Sequence, residues 1–328
     1  MAAGNSPDSI LLIKPSSLGD IIHALPVAEA LKTAYPNASL SWVVNEEWTS
    51  ILGENPFIDH ILPFPRQKFR GVAGIFGGLG WISGLRHLKP DLCVDLQGLL
   101  RSALIGRGAG CGELVGLSDA REGATLFYHR SAKVTKDMHA VDRYLSVLDV
   151  LGIERPSTPR FILPQGLRPP SFSLNEPYLL LHPFSRGEGK SMDIKTLQAF
   201  CNEWKKTPIV IVGRVNTEVS LPPSVINLLN RTTLMELIWL IRHAGFVISV
   251  DSGPMHICAG ITERLLSIHT WSDPRRVGPY PGNCAVWKNG SIQTMTDFRQ
   301  KPNLSHKQLM ESDLGNISDW ASAHFLAP

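Results

Sequence analysis

The sequence predicts an α/β protein of two doubly wound domains that face a shared cleft. Three observations predict it. Apolar, β-prone runs alternate with helical patterns through both halves of the chain, the order that gives a mostly parallel sheet with helices on both faces. Two polar junctions, KPSSLGDI at Lys14–Ile21 and DSGPMH at Asp251–His256, each follow such a run and precede a helical pattern. Between them lies Pro164–Pro177, PQGLRPPSFSLNEP, whose Pro, Ser and Gly content marks a linker. The domains are therefore expected at residues 1–165 and 166–328.

Taken in order, Ile10–Ile13 is a buried strand. Ile21–Tyr35 is a helix, because Ile21, Ile22, Leu25, Ala28 and Leu31 recur at mostly helical spacing. Leu40–Val44 and Asp59–Leu62 are strands, with a short helix Trp48–Leu52 between them. Gly71–Leu85 carries six glycines among Phe76, Trp81 and Ile82. It reads as a surface loop, with a mobile flap or a membrane-facing loop as alternatives. Leu92–Leu96 is a strand that delivers Asp95 and Gln97. Asp137–Leu151 is a helix closed by Gly152. After the linker come the strand Tyr178–Leu181, the helix Ile194–Lys205, the strand Ile209–Val212 and the helix Leu234–His243. The strand Phe246–Val250, a helix at Met255–Gly260 and the strand Leu265–Ile268 follow. Residues 305–325 form a terminal helix, expected to cross back to the first domain.

Composition narrows the function. The 328 residues, 43% of them hydrophobic, suffice for a large core and for two domains. A net charge of +3 argues against a nucleic-acid binder. Five cysteines, an odd count with no CxxC pair, argue against a disulfide scaffold and a structural zinc site, and fit a reducing compartment. The opening MAAGNSPDS lacks the basic and apolar regions of a signal peptide. No uninterrupted apolar run reaches the roughly 18 residues a membrane span needs.

Three loops carry candidate chemistry. In KPSSLGDI, Ser16, Ser17 and Gly19 make a permissive polar turn beyond a strand, where open α/β sheets place ligands. Asp20 either caps the following helix or projects as a carboxylate base. His23, three residues on, orients a ligand or packs. The spacings GxxxxGK[ST] and GxGxxG are both absent, which sets aside a P-loop and a dinucleotide-dependent oxidoreductase. In SRGEGKS, Ser185–Ser191, two glycines free the backbone while Ser185, Arg186, Lys190 and Ser191 supply donors. Such a loop suits a diphosphate, a solvated basic loop being the alternative. In DSGPMH, Ser252, Gly253 and Met255 offer backbone donors at a helix start, and Pro254 fits the first turn. Asp251 holds the loop or binds a sugar hydroxyl, and His256 meets a phosphate or braces the loop. No cluster has metal-ligand spacing, and no GxSxG elbow occurs. Arg66, Lys68, Arg70, Arg101, Arg107, Arg121 and Arg130 crowd the first domain, as an acceptor-side patch or as surface charge.

The chain resembles the lipopolysaccharide heptosyltransferases, glycosyltransferases that use ADP-heptose. LLIKPSSLGDIIHALP at 11–26, VDLQGLLRSAL at 94–104, AREGATLFYHR at 120–130 and HAVDRYL at 139–145 carry the likeness in the first half. LLHPFSRGEGKS at 180–191, TTLMELIWLI at 232–241, VISVDSGPMHICAG at 247–260 and DPRRVGPY at 273–280 carry it in the second. The resemblance implies a GT-B fold of two Rossmann-like domains, the first for the acceptor and the second for the ADP-sugar. It implies inverting transfer with no cofactor and no essential metal. The expected acceptor is the Kdo of a lipid A precursor, reached from the cytoplasmic face of the inner membrane. Asp20 matches the general base. Ser17, Gly19, His23 and Arg121 fall on the acceptor side. Ser185, Arg186, Lys190, Asp251, Ser252, Gly253, Pro254 and His256 fall on the donor side. The first motif is nearer to the enzymes adding the first heptose than to those adding the second. Transfer of another nucleotide sugar and a non-catalytic nucleotide-sugar binding module are the alternatives. Oligomeric state is left open. Met192, Arg264 and the turn HTWS at 269–272 depart from a tryptophan, a proline and a glycine-proline-threonine turn.

Overall fold

The computed structural model describes residues 6–69, 71–170, 172–187 and 189–325. The chain divides into two compact units, Met1–Ile162 and Leu163–Pro328.

The first unit is a parallel sheet of β1 (Ser9–Ile13), β2 (Ser39–Asn45), β3 (His60–Phe64), β4 (Leu92–Asp95), β5 (Glu113–Leu117) and β6 (Arg130–Ala132). Its helices are α1 (Leu18–Ala34), α2 (Gly71–Gly84), α3 (Leu100–Gly108) and α4 (Ala140–Leu151). The strand order is β3-β2-β1-β4-β5-β6. Ile13 lies opposite both Val43 and Asp95. Both faces are covered, so β1 reads as a continuous apolar run with no alternation. Leu11, Ile13, Val43 and Cys93 join Ile105 of α3 and its C-cap Ala109 in one apolar cluster. α1 and α4 pack on each other. The order reverses between β1 and β4, and the crevice beyond such a reversal is where these sheets bind ligands.

The segment Gly71–Leu85 is a helix over Gly71–Gly84 and not the loop its glycines suggest. Each glycine costs a helix about 1 kcal/mol relative to alanine, and tertiary packing overrides that cost. Trp81 sets its ring edge-on to Phe64 at 5.3 Å and to Phe69 at 6.2 Å. Ile82 packs on the same cluster. A Cβ at Gly108 of α3 would lie 2.0 Å from Ile82 Cγ2, so these two helices meet at a glycine. Arg70 and the side chains of Lys68 and Phe76 lie outside the described residues.

The second unit repeats the plan. Its strands are β7 (Leu179–His182), β8 (Ile209–Ile211), β9 (Val225–Asn227), β10 (Phe246–Val250), β11 (Leu265–Ile268), β12 (Ala285–Lys288) and β13 (Ser291–Thr294). Its helices are α5 (Ile194–Glu203), α6 (Leu234–His243), α7 (Gly253–Ile261), α8 (Pro274–Val277), α9 (Met295–Gln300) and α10 (Leu314–Ala323). The order is β13-β12-β11-β10-β7-β8-β9, parallel except for the antiparallel pair β12–β13. The reversal now falls between β7 and β10. The terminal helix α10 buries Leu314, Ile317 and Ala321 in the second unit's core.

Candidate active site

In the first unit the loop after β1 turns straight into α1. Ser17 is the N-cap, and its amide and hydroxyl donate to Asp20 Oδ2 at 3.0 and 2.7 Å. Asp20 is therefore the acidic half of a capping box. It is also more than a cap. Tyr144 of α4 donates its hydroxyl to Asp20 Oδ1 at 2.8 Å. Lys14 Nζ stands 4.0 Å from the same oxygen, and Asp20 keeps 37% of its side-chain surface open. Burial pushes this carboxyl up. The charge of Lys14, the Ser17 hydrogen bonds and the charge of His23 outweigh it and hold Asp20 well below the usual carboxylate range. Lys14 itself is buried, donates to Leu96 O at 3.2 Å and lies 4.9 Å from the Tyr144 ring centroid. Burial lowers its pKa against the pull of Asp20.

His23 is buried with its ring 5.4 Å from that of His139 in an edge contact. Arg121 is exposed. Its amide donates to Gly98 O at 2.8 Å, and its charge reaches Lys14. A groove at the β1/β4 reversal is lined by Ser16, Asn45, Gln97, Arg66 and Arg101 among others. Ser16 N donates to Gln97 Oε1 at 3.3 Å. Of the basic residues singled out above, Arg107 is tied to Phe127 O at 2.9 Å, and Arg130 pairs with Glu113. Among the described residues Arg66 and Arg101 make no ion pair.

In the second unit the loop after β7 closes on itself. Ser185 N donates to Ser191 Oγ at 2.9 Å, and that hydroxyl donates back to Ser185 O at 3.2 Å. Gly189 takes φ +70°, which favours glycine. A Cβ at Gly187 would sit 2.9 Å from Lys190 Cδ, so the lysine stem lies over bare backbone. Lys190 Nζ donates to Asp251 Oδ2 at 2.6 Å, and Ser185 Oγ donates to Asp251 O at 3.1 Å. Asp251 thus holds the loop. Burial pushes its carboxyl up, and the charges of His269, His256 and Lys190 outweigh that and bring it down to about 2. Ser252 is the N-cap of α7, Gly253 and Pro254 open the helix, and His256 lies buried in its first turn. Arg186 is exposed. Met192 is buried in the apolar core.

The loops carrying Ser185 and Asp251 meet at the second reversal point, as those carrying Ser16 and Gln97 meet at the first. Four participants went unassigned in the sequence. Lys14 and Tyr144 frame Asp20. His182 Nδ1 lies 3.2 Å from Ser252 Oγ, and burial brings this imidazole down to about 4. His269 is likewise brought down to about 4, first by burial. Among the described residues no group of three or more His, Cys, Asp or Glu is arranged to hold a metal ion. No described helix is long and apolar enough to cross a membrane.

The profile of glycosyltransferase family 9 (heptosyltransferase) matches residues 81–307. The chain is 25% identical to lipopolysaccharide heptosyltransferase 1 of Salmonella typhimurium, over 84% of this chain and 92% of that protein. It is 26% identical to lipopolysaccharide heptosyltransferase 3 of Escherichia coli, over 91% of this chain and 92% of that protein. The E. coli heptosyltransferase WaaC with ADP superposes with a TM-score of 0.73 at 21% identity, covering 95% of this chain and 99% of that one. The fold is α/β, with the two Rossmann-like domains of the GT-B type. The chain belongs to glycosyltransferase family 9 and is a glycosyl-transferring enzyme.

Proposed function

We propose, from the premise of that family membership, that this enzyme moves heptose from ADP-L-glycero-D-manno-heptose to Kdo of the lipopolysaccharide inner core. The observation that carries the reading is Asp20. It is a carboxylate at a sheet reversal point, held ionised by Lys14 and Ser17, with part of its surface open. A carboxylate so placed accepts the proton of an acceptor hydroxyl as that oxygen bonds the anomeric carbon. The bond from that carbon to ADP breaks on the opposite side, its electron pair leaves with ADP, and the configuration inverts.

Asp20 is a weak base, since its pKa is depressed. It therefore takes the proton late, when the attacking oxygen has become acidic. Ser17 and Gly19 flank this carboxylate in the turn, His23 follows it on α1, and Arg121, whose charge reaches Lys14, completes the acceptor side. Arg66 and Arg101, which make no ion pair among the described residues, suit the carboxylate of Kdo. In the second unit Lys190, Ser185 and Arg186, with the α7 start at Ser252–Pro254 and His256, receive the diphosphate, where negative charge grows as ADP leaves. Lys190 exchanges Asp251 for the phosphate, which frees Asp251 to accept from a sugar hydroxyl. The enzyme works at the cytoplasmic face of the inner membrane, where its lipid acceptor lies.

The test is ADP release with ADP-heptose and a Kdo-bearing lipid A acceptor, beside Asp20→Ala. Acceptor-dependent release and a product heavier by one heptose in the wild type, with loss in the variant, are expected. A product formed only from an acceptor that already carries heptose would move the assignment to a later heptose. Undiminished transfer by Asp20→Ala would remove the base assignment.

A further inference from the structure

Asp95, at the end of β4, has no exposed surface and so touches no substrate. Its two carboxyl oxygens have separate partners. Oδ2 accepts from Ser102 Oγ and from the Tyr128 hydroxyl, each at 2.8 Å. Oδ1 accepts from the backbone amides of Gln97 and Gly98 at 2.9 and 3.1 Å. The first pair fastens the carboxyl to α3 and to the Tyr128 ring. The second pair bends the chain just beyond the strand, where Gly98 takes φ +67°, a conformation that suits glycine. A side-chain oxygen that accepts from amides two and three residues on shapes a turn by itself.

That turn reaches three other segments. Leu96 O accepts from Lys14 Nζ at 3.2 Å, Gln97 Oε1 from Ser16 N at 3.3 Å, and Gly98 O from Arg121 N at 2.8 Å. Three consecutive residues thus hold the lysine that stands 4.0 Å from Asp20, the loop that leads into α1, and the backbone of Arg121. A Cβ on Gly98 would lie 3.4 Å from Ala120 Cα, so the turn packs closely on the Arg121 segment. Asp95 makes none of these three contacts itself. Each depends on where the turn points its groups.

We propose that Asp95 is a positioning residue for the transfer reaction: through Oδ1 it sets the turn at 96–98, and through that turn it places Lys14 and the Ser16 loop beside Asp20 and Arg121 on the acceptor side. The role rests on the reading of Asp20 as the base. Oδ2 serves stability alone. The amides of Gln97 and Gly98 only donate, so they require an acceptor at Oδ1. The hydroxyls of Ser102 and Tyr128 both donate and accept, so they tolerate an amide nitrogen in place of Oδ2. Asparagine therefore keeps the turn, and alanine does not.

The experiment compares Asp95→Ala, Asp95→Asn, Tyr128→Phe and Gly98→Val in the full chain. Kinetics are measured well below each variant's Tm, and hydrogen exchange is measured without substrate. Asp95→Ala should lower kcat by roughly 10- to 100-fold and leave the KM of the donor unchanged. It should also raise exchange in peptides covering residues 14–20 and 118–124. Asp95→Asn should restore most of the rate and the protection of both segments. Tyr128→Phe should lower Tm and leave the rate and both segments as in the wild type. A β-branched residue does not adopt the φ of Gly98. Gly98→Val should therefore reproduce the alanine variant with the carboxyl intact, and it decides the matter if Asp95→Ala does not fold. The inference is overturned if Asp95→Ala or Gly98→Val keeps the wild-type rate, or if Asp95→Asn or Tyr128→Phe is impaired as much as Asp95→Ala. Exchange that rises throughout the first unit instead of in the two segments also overturns it. Wild-type protein that turns over no ADP-heptose would sink the proposed function, and the exchange pattern would still decide whether Asp95 sets these segments.

Discussion

Asp95 and Asp251 occupy matching places, each at the end of the strand beyond its unit's reversal point, and their surroundings divide them. Asp95 is fully buried and receives neutral donors: Tyr128 and Ser102 at 2.8 Å, and the amides of Gln97 and Gly98. Burial outweighs those bonds and raises its pKa. Asp251 meets Lys190 and two histidines, and its pKa falls. Asp20 is governed in the same way by Lys14. Replacing Lys14 by Met should leave burial of Asp20 unopposed by its nearest charge and raise the carboxyl's pKa. A base works above its pKa, so the acid limb of the kcat/KM profile should move to higher pH. An unchanged limb would show that Lys14 does not set this carboxylate. Asp20→Ala removes a cap as well as a base. It should cost about 1 kcal/mol of stability and roughly 10²–10⁴ in rate. Asp20→Asn keeps an acceptor for Ser17, so it should lose the rate with little change in Tm. Equal losses of rate and stability in both variants would reduce Asp20 to a cap. The carboxylate itself was legible in KPSSLGDI. Tyr144 was not, because it lies 124 residues away and only the α1–α4 packing joins them.

Single glycines decide how several elements meet. A Cβ on Gly116 of β5 would lie 2.2 Å from the Tyr128 ring, whose hydroxyl bonds Asp95. Gly116→Ala should displace that ring and leave a buried carboxyl short of a donor, at about 1–3 kcal/mol. A shift in urea midpoint measures it, and adding Tyr128→Phe should then cost little more. If the two losses simply add, Gly116 acts on something other than Tyr128. The loop after β7 makes a second prediction. Lys190→Ala should weaken ADP binding by roughly tenfold or more, read by calorimetry, with acceptor binding unchanged. Equal weakening of both would refute the phosphate assignment. Long apolar runs made β1, β10 and β11 legible in the sequence, and the capped, strongly periodic helix Leu234–His243 was placed to the residue. α2 was missed because its glycines outvoted Trp81, whose partners Phe64 and Phe69 come from other elements. The hairpin β12–β13 was missed although Asn289-Gly290, both at positive φ, is a two-residue turn signal. KPSSLGDI corresponds by topology to the Ser185–Ser191 loop, and DSGPMH to the turn at Asp95.

At the scale of the whole molecule, the two units repeat one strand order around different polar hearts, and acid should separate them. The second unit buries His182 and His269, each with a pKa brought from 6.5 to about 4. Such an imidazole stays neutral when folded and takes a proton more readily when unfolded. Its contribution to stability is therefore complete above about pH 6.5, and it is lost progressively as pH falls toward 4. Each histidine accounts for on the order of 2 kcal/mol across that window. Asp251 adds its own loss lower down, between its ordinary 3.8 and about 2. The second unit should accordingly loosen first on acidification. Hydrogen exchange at pH 7 and pH 5, corrected for intrinsic rates, checks this. Peptides from β7, β10 and β11 should lose protection, while those from β1 and β4 keep theirs. His269→Asn should flatten the response of the second unit, because an amide does not titrate there. Loss of protection confined to the first unit, or no effect of His269→Asn, would place the acid sensitivity elsewhere. His269 borders the Lys190–Asp251 pair, so protonating it adds positive charge where the donor's diphosphate is proposed to sit. Acid near pH 4 should therefore tighten ADP binding while it weakens the unit that binds it.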